Sequence, residues 1–228
     1  MDLVTRKEWG ARTAKQRTPL VPGLLRGIAI HYTAMNADEQ ADHANCPRRV
    51  RGIQSYHMDT NGWSDIAYSF VVCKHGSVFE GRGWGVRTAA QGTNAGNDGY
   101  HAACFLGDDT KGRDDVTEQG RRAFTQVVRK GQRLYPKARF VLPHSDFHST
   151  ACPGDELRAW VKAEPWKKLQ VVPLREKDWR WARWYLSIGE YAGRGKKEKG
   201  KATRPPYQRI VGPRGWRAAR WYKRHGLA

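Results

Sequence analysis

The sequence predicts an α/β fold: a mixed central β-sheet flanked by helices, followed by a small, basic, Trp-rich C-terminal repeat region. Two observations carry the first part of this expectation and one carries the second. Short apolar runs alternate with amphipathic stretches through the first 165 residues, and one pair of runs is joined by a hairpin signal. Beyond residue 165 the composition shifts abruptly toward Lys, Arg and Trp. A chain of 228 residues can bury one full core with a small unit left over, and 39% apolar with 11% aromatic residues suits a folded protein.

LLRGIAIHYTA (24–34) reads as a buried strand that turns polar at its C-terminal end. CPRRVRGIQSYHMDT (46–60) has helical spacing, with Val50, Ile53 and either Tyr56 or His57 on one side. DIAYSFVVCKHG (65–76) and SVFEGRG (77–83) form a hairpin turning at His75-Gly76, and GYHAACFLGDD (99–109) is a further strand. A long helix is expected from Val116 to Tyr135, with Phe124, Val127, Val128 and Leu134 as its apolar face. ARFVLPHSD (138–146) gives a strand and GDELRAWVKA (154–163) a closing helix with Asp155 in its first turn.

The expected division is 1–165 and 166–228. From Trp166 onward there are 18 basic and 4 acidic residues, a net of +14 out of +19 for the chain, and six of the ten Trp. DWRWARWYLSIGEYAG (178–193) is echoed by GWRAARWYKRHG (215–226), with Ala182-Arg183-Trp184-Tyr185 matching Ala219-Arg220-Trp221-Tyr222. The basic segment GRGKKEKGKATRPP (193–206) links the copies. Two copies of a small unit suggest two copies of a binding site, although the same Trp residues would also pack a helical hairpin. The excess charge points to a polyanionic partner: nucleic acid, an anionic membrane face or a bacterial wall polymer.

No run approaches the roughly 20 apolar residues that span a bilayer, and MDLVTRKEWGART lacks the apolar core of a secretory signal. The expectation is synthesis in a cytoplasm. The four cysteines show no CxxC or regular spacing, which argues against a disulfide framework. Cys46, Cys73 and Cys104 are read as buried small hydrophobes.

Three potential metal donors sit where strands end. His31 follows GIAI, His144 follows FVL-Pro, and Cys152 lies in the loop HSDFHSTACPG ahead of a Pro-Gly turn. Zinc favours nitrogen and thiolate donors in a tetrahedron, and three protein donors leave the fourth position open for catalysis.

TRKEWGAR (5–12), IHYTA (30–34), VRGIQSYHMDTNGWSDIAYSFVV (50–72), VFEGRGW (78–84) and HSDFHSTACPG (144–154) occur in an order that resembles the type-2 N-acetylmuramoyl-L-alanine amidases and peptidoglycan-recognition proteins, phage amidase-type lysozymes included. The resemblance covers roughly residues 5–160. It implies a zinc amidase that cuts the lactyl amide between N-acetylmuramic acid and L-alanine, with His31, His144 and Cys152 as metal ligands. It also implies catalytic roles for Tyr68, as a donor to the oxyanion or a group that orients the water, and for Thr150, which would assist in the same way from a position that holds Lys in some members and Thr in others. Ala67 stands where Gly is expected, and Cys104 takes the strand position of an acidic group used by distant branches. Cys46 lies where animal members often carry a disulfide, but no partner cysteine precedes it. His57 and His148 fall near the motif loops and are assigned surface or core roles.

The implied biology is a phage endolysin that reaches the wall after release through the membrane, acts as a monomer, and uses its tail on peptidoglycan and anionic wall polymers. Two other readings differ in class. One is a non-catalytic recognition module, whose members typically lose the cysteine ligand; the other is an amidase whose tail binds nucleic acid.

Overall fold

The computed structural model describes residues 1–35, 42–109 and 116–167. The expected Trp-rich repeats lie outside the described residues. The strands are β1 (Leu3–Val4), β2 (Gly27–Tyr32), β3 (Phe70–Val72), β4 (Val78–Glu80), β5 (Tyr100–Phe105) and β6 (Phe140–Pro143). The helices are α1 (Cys46–Ser55), α2 (Asn94–Gly99), α3 (Glu118–Leu134) and α4 (Asp155–Ala163). The strands form one sheet in the order β1-β4-β3-β5-β2-β6, in which only β3 and β4 pair antiparallel. This is the expected mixed sheet. The two-residue β1 was not anticipated, since so short a run carries no periodicity.

Alternation along the strands divides the core between two faces. Phe70 and Val72 join Ile28, Ile30, Ala103 and Phe105 beneath α3 and α4, where Phe124, Val127, Val128, Leu157 and Trp160 complete the packing. Trp166 closes this cluster, its ring 4.9 Å from that of Trp160. Val71, Cys73 and Phe79 point to the other face and pack with Trp9, Cys46, Val50 and Ile53 of the α1 side.

Helix α1 buries Val50 and Ile53 as expected, then widens into a π-type turn over Tyr56–Thr60. His57 is the buried member of the Tyr56/His57 pair, and Tyr56 is exposed. Thr117 caps α3 by accepting the Gly120 amide at 3.1 Å. Leu134, expected on the apolar face of α3, is its last residue and is exposed.

Candidate metal centre and active site

Parallel pairing of β2 with β6 brings the two strand-end histidines together. Ile30 lies opposite Pro143 in the register, so His31 and His144, one residue further on, emerge side by side at the carboxyl ends of their strands. Their ring centroids are 4.3 Å apart. In open α/β sheets this is the edge at which ligands bind.

Cys152 arrives from the loop after β6. Its sulfur lies 3.8 Å from Nδ1 of His31 and accepts the backbone N–H of Tyr32 at 3.3 Å. The donor atoms of His31, His144 and Cys152 all fall within 4.8 Å of one another. The loop is fixed at both sides of the cysteine. Thr150 Oγ1 accepts the Cys152 amide at 3.2 Å, and the Cys152–Pro153 peptide is cis. Gly154 follows at φ +92°, so close to the Asp109 carbonyl that a Cβ there would sit 2.3 Å from its oxygen. Asp109 continues the anchor by accepting the Asp155 amide at 3.1 Å and the Leu157 amide at 2.6 Å.

The chemistry of the donors fits a metal ion. Nε2 of His31 and Nδ1 of His144 are buried with no hydrogen-bond partner among the described residues, a state that ordinary core histidines avoid. Burial pushes both imidazoles down, His31 well below its usual value and His144 to about 4, so both rings are neutral and able to donate a lone pair. Zn–S and Zn–N bonds at the tetrahedral angle place sulfur and nitrogen about 3.6 Å apart, close to the separation of Cys152 and His31. Burial pushes the Cys152 thiol up to about 12, so in the protein alone it keeps its proton.

Tyr68 stands beside this group, its ring centroid 5.6 Å from that of His31. Burial, next to the thiols of Cys104 and Cys152, holds its phenol protonated well above the usual range. Cys104 is the register partner of His31 on β5. Thr150 belongs to the frame of the loop, with its oxygen engaged by the Cys152 amide.

His148 has a closer relation to the site than the sequence suggested. Its Nε2 lies 2.9 Å from Nε2 of His144, with the rings edge to face. It is packed against Gly92, where a Cβ would come within 2.9 Å of the imidazole. A hydrogen bond to the far nitrogen of a metal-ligand histidine sets its tautomer and orientation. The spacing His144-x-x-x-His148 was the available signal. His57 has a structural task, accepting the Ala67 amide on Nδ1 at 3.1 Å and stacking on Trp63.

With the geometry in view, known proteins place the chain. Residues 22–155 match the family model Amidase_2, N-acetylmuramoyl-L-alanine amidase. Peptidoglycan-recognition protein SC2 of Drosophila melanogaster is 34% identical over 165 residues, covering 69% of this chain and 85% of that protein. The human N-acetylmuramoyl-L-alanine amidase is 34% identical over 189 residues, covering 75% of this chain but 31% of that protein. Among solved structures, Drosophila PGRP-LB aligns with a TM-score of 0.65 at 27% identity, covering 73% of this chain and 95% of that one. Peptidoglycan recognition protein-LE in complex with tracheal cytotoxin aligns with a TM-score of 0.64 at 26% identity, covering 72% and 96%. The chain belongs to the Amidase_2 family of N-acetylmuramoyl-L-alanine amidases, within the superfamily that also holds the peptidoglycan-recognition proteins.

Proposed function

We propose that this chain is a zinc-dependent amidase that hydrolyses the lactyl amide between N-acetylmuramic acid and L-alanine in bacterial peptidoglycan. The observation that carries the reading is the convergence of His31, His144 and Cys152 at the carboxyl edge of the sheet, one donor short of a tetrahedron. A zinc ion held by these three supplies Lewis acidity for the scissile carbonyl and lowers the pKa of water. The protein's own groups set the stage. Burial keeps the imidazoles neutral, and the Tyr32 amide is aimed at the Cys152 sulfur, where it steadies negative charge. The Tyr68 phenol, kept protonated, is a donor for the charge that develops on the carbonyl oxygen. Thr150 holds the loop in place rather than moving a proton.

The test is release of L-alanine-terminated peptides from purified muropeptide, with and without a chelator. Activity that survives complete zinc removal, or none in the zinc-loaded protein, overturns the proposal. The recognition proteins among the relatives favour a second reading, a peptidoglycan-binding module without turnover. Against it stands Cys152, placed with both histidines. We further propose an endolysin that works on the wall after release through the membrane, with the chain beyond residue 167 as a wall-binding unit that its charge suits to anionic polymers. Sedimentation of the full chain with purified walls, against a chain ending at 167, tests the tail. A salt-sensitive shift of DNA with no wall binding would favour nucleic acid as its partner.

A further inference from the structure

A second set of donors lies away from the amidase site, where the β3–β4 hairpin meets the N-terminal end of α1. The hairpin closes tightly: the Gly76 amide donates to the Cys73 carbonyl at 3.0 Å and the Cys73 amide to the Ser77 carbonyl at 3.1 Å. Gly76 takes φ +92°, a conformation that favours glycine, and so lets the chain reverse directly behind His75. Cys73 continues the side of β3 that faces α1. From the opposite side come Cys46, the first residue of α1, and His43, in a short 3-10 turn (His43–Asn45) whose entry Asp42 caps.

The donor atoms of His43, Cys46, Cys73 and His75 all lie within 4.8 Å of one another. The Cys46 sulfur is 3.6 Å from Nδ1 of His75, and the rings of His43 and His75 are 4.9 Å apart. Both cysteines are fully buried free thiols. Apolar filling does not account for two imidazoles turned onto them. A disulfide would use the two sulfurs and leave the imidazoles without a purpose.

We infer that His43, Cys46, Cys73 and His75 form a closed, structural zinc site that clamps α1 to the β3–β4 hairpin. Two thiolates and two imidazoles are a donor set that zinc takes tetrahedrally, in short-spaced pairs, here His-x-x-Cys and Cys-x-His. The 3.6 Å between sulfur and nitrogen is about what bond lengths of ~2.3 and ~2.05 Å at the tetrahedral angle require. The backbone N–H groups of His75 and Ser77 are turned to the Cys73 sulfur, an arrangement that would steady a metal-bound thiolate. Four protein donors leave no open position, which makes the site one of structure and not of turnover.

Metal content of the full chain, purified in the presence of zinc and desalted, tests this. The intact protein should carry two zinc ions. Cys152→Ala should carry one, and adding Cys73→Ala should remove that one. Since Cys152→Ala empties the amidase site, the result does not depend on the proposed activity. In cobalt-loaded Cys152→Ala, a near-ultraviolet thiolate-to-cobalt band should persist, and Cys46 and Cys73 should resist alkylation until a chelator is added. Should Cys73→Ala fail to fold, the exposed His43 offers a milder change: His43→Ala should speed zinc loss from Cys152→Ala at least tenfold. Zinc that falls to zero in Cys152→Ala, or an intact mass showing a Cys46–Cys73 disulfide in freshly purified protein, overturns the inference.

Discussion

Two clusters of histidine and cysteine occupy this sheet, and they differ in number, position and surroundings. His31, His144 and Cys152 gather at the ends of parallel strands, with Tyr68 beside them and three donors in all. His43, Cys46, Cys73 and His75 bridge a helix and a hairpin with four. The contrast teaches how one chemistry serves two ends. Around a tetrahedral metal, three donors would leave a vertex for substrate or water, whereas four would close the polyhedron and leave only the tie between elements. The neighbours agree with the count. The three-donor group has the Tyr68 phenol beside it, and the four-donor group has backbone amides turned to one of its sulfurs.

The comparison breaks most readily at Cys152. Cys152→Ser should lower kcat/KM on muropeptide by about 10³-fold or more, in keeping with several kcal/mol of lost charge stabilisation. Its circular dichroism should stay that of the parent; a variant that still turns over at a tenth of the parent rate would remove the amidase assignment. Tyr68→Phe keeps the ring and removes the donor. Its kcat should fall about 10²-fold with KM little changed, and an unaltered kcat would leave Tyr68 a packing residue. His148→Ala deletes the partner of His144 without touching a donor atom. Competition with a chromophoric chelator should show zinc affinity at the amidase site lower by about 10-fold; equal affinity would mean that the 2.9 Å contact orients nothing. Cys73→Ser should change kcat/KM least, by about twofold per folded molecule, while lowering the melting temperature by about 10 °C, the equivalent of a few kcal/mol in a domain of this size. A variant that melts with the parent would erase the distinction between the clusters.

The sequence made one cluster legible and hid the other, for a physical reason. His31 and His144 each follow an apolar run, so their place at strand ends can be read from hydropathy, and the surrounding motifs supply the pairing. Nothing local joins His43 and Cys46 to Cys73 and His75. Their meeting depends on the hairpin turning back against α1, and a search for Cys-x-x-Cys overlooks pairs that mix the two residue types. Cys46 and Cys73 were expected to be buried, and they are; what burial concealed was the pair of imidazoles facing them. The long helix, the hairpin turn at Gly76 and the mixed sheet followed from periodicity. Leu134 did not, because helical spacing cannot say at which turn a helix stops packing. That Thr150 accepts the Cys152 amide was likewise out of reach, since a hydroxyl two residues before a cysteine carries no local sign of its partner.

The register between β2 and β6 has a consequence for the order in which the molecule can assemble. His31 and His144 are separated by more than a hundred residues, so their meeting waits for nearly the whole domain to be synthesised and for a parallel pairing that carries a high loop-closure cost. Residues 43–75 span a much shorter stretch and are complete while the partner strand β6 is still to be made. A chain emerging from the ribosome can therefore set its first helix against its hairpin early, and brings His31 and His144 together only when its last strand docks.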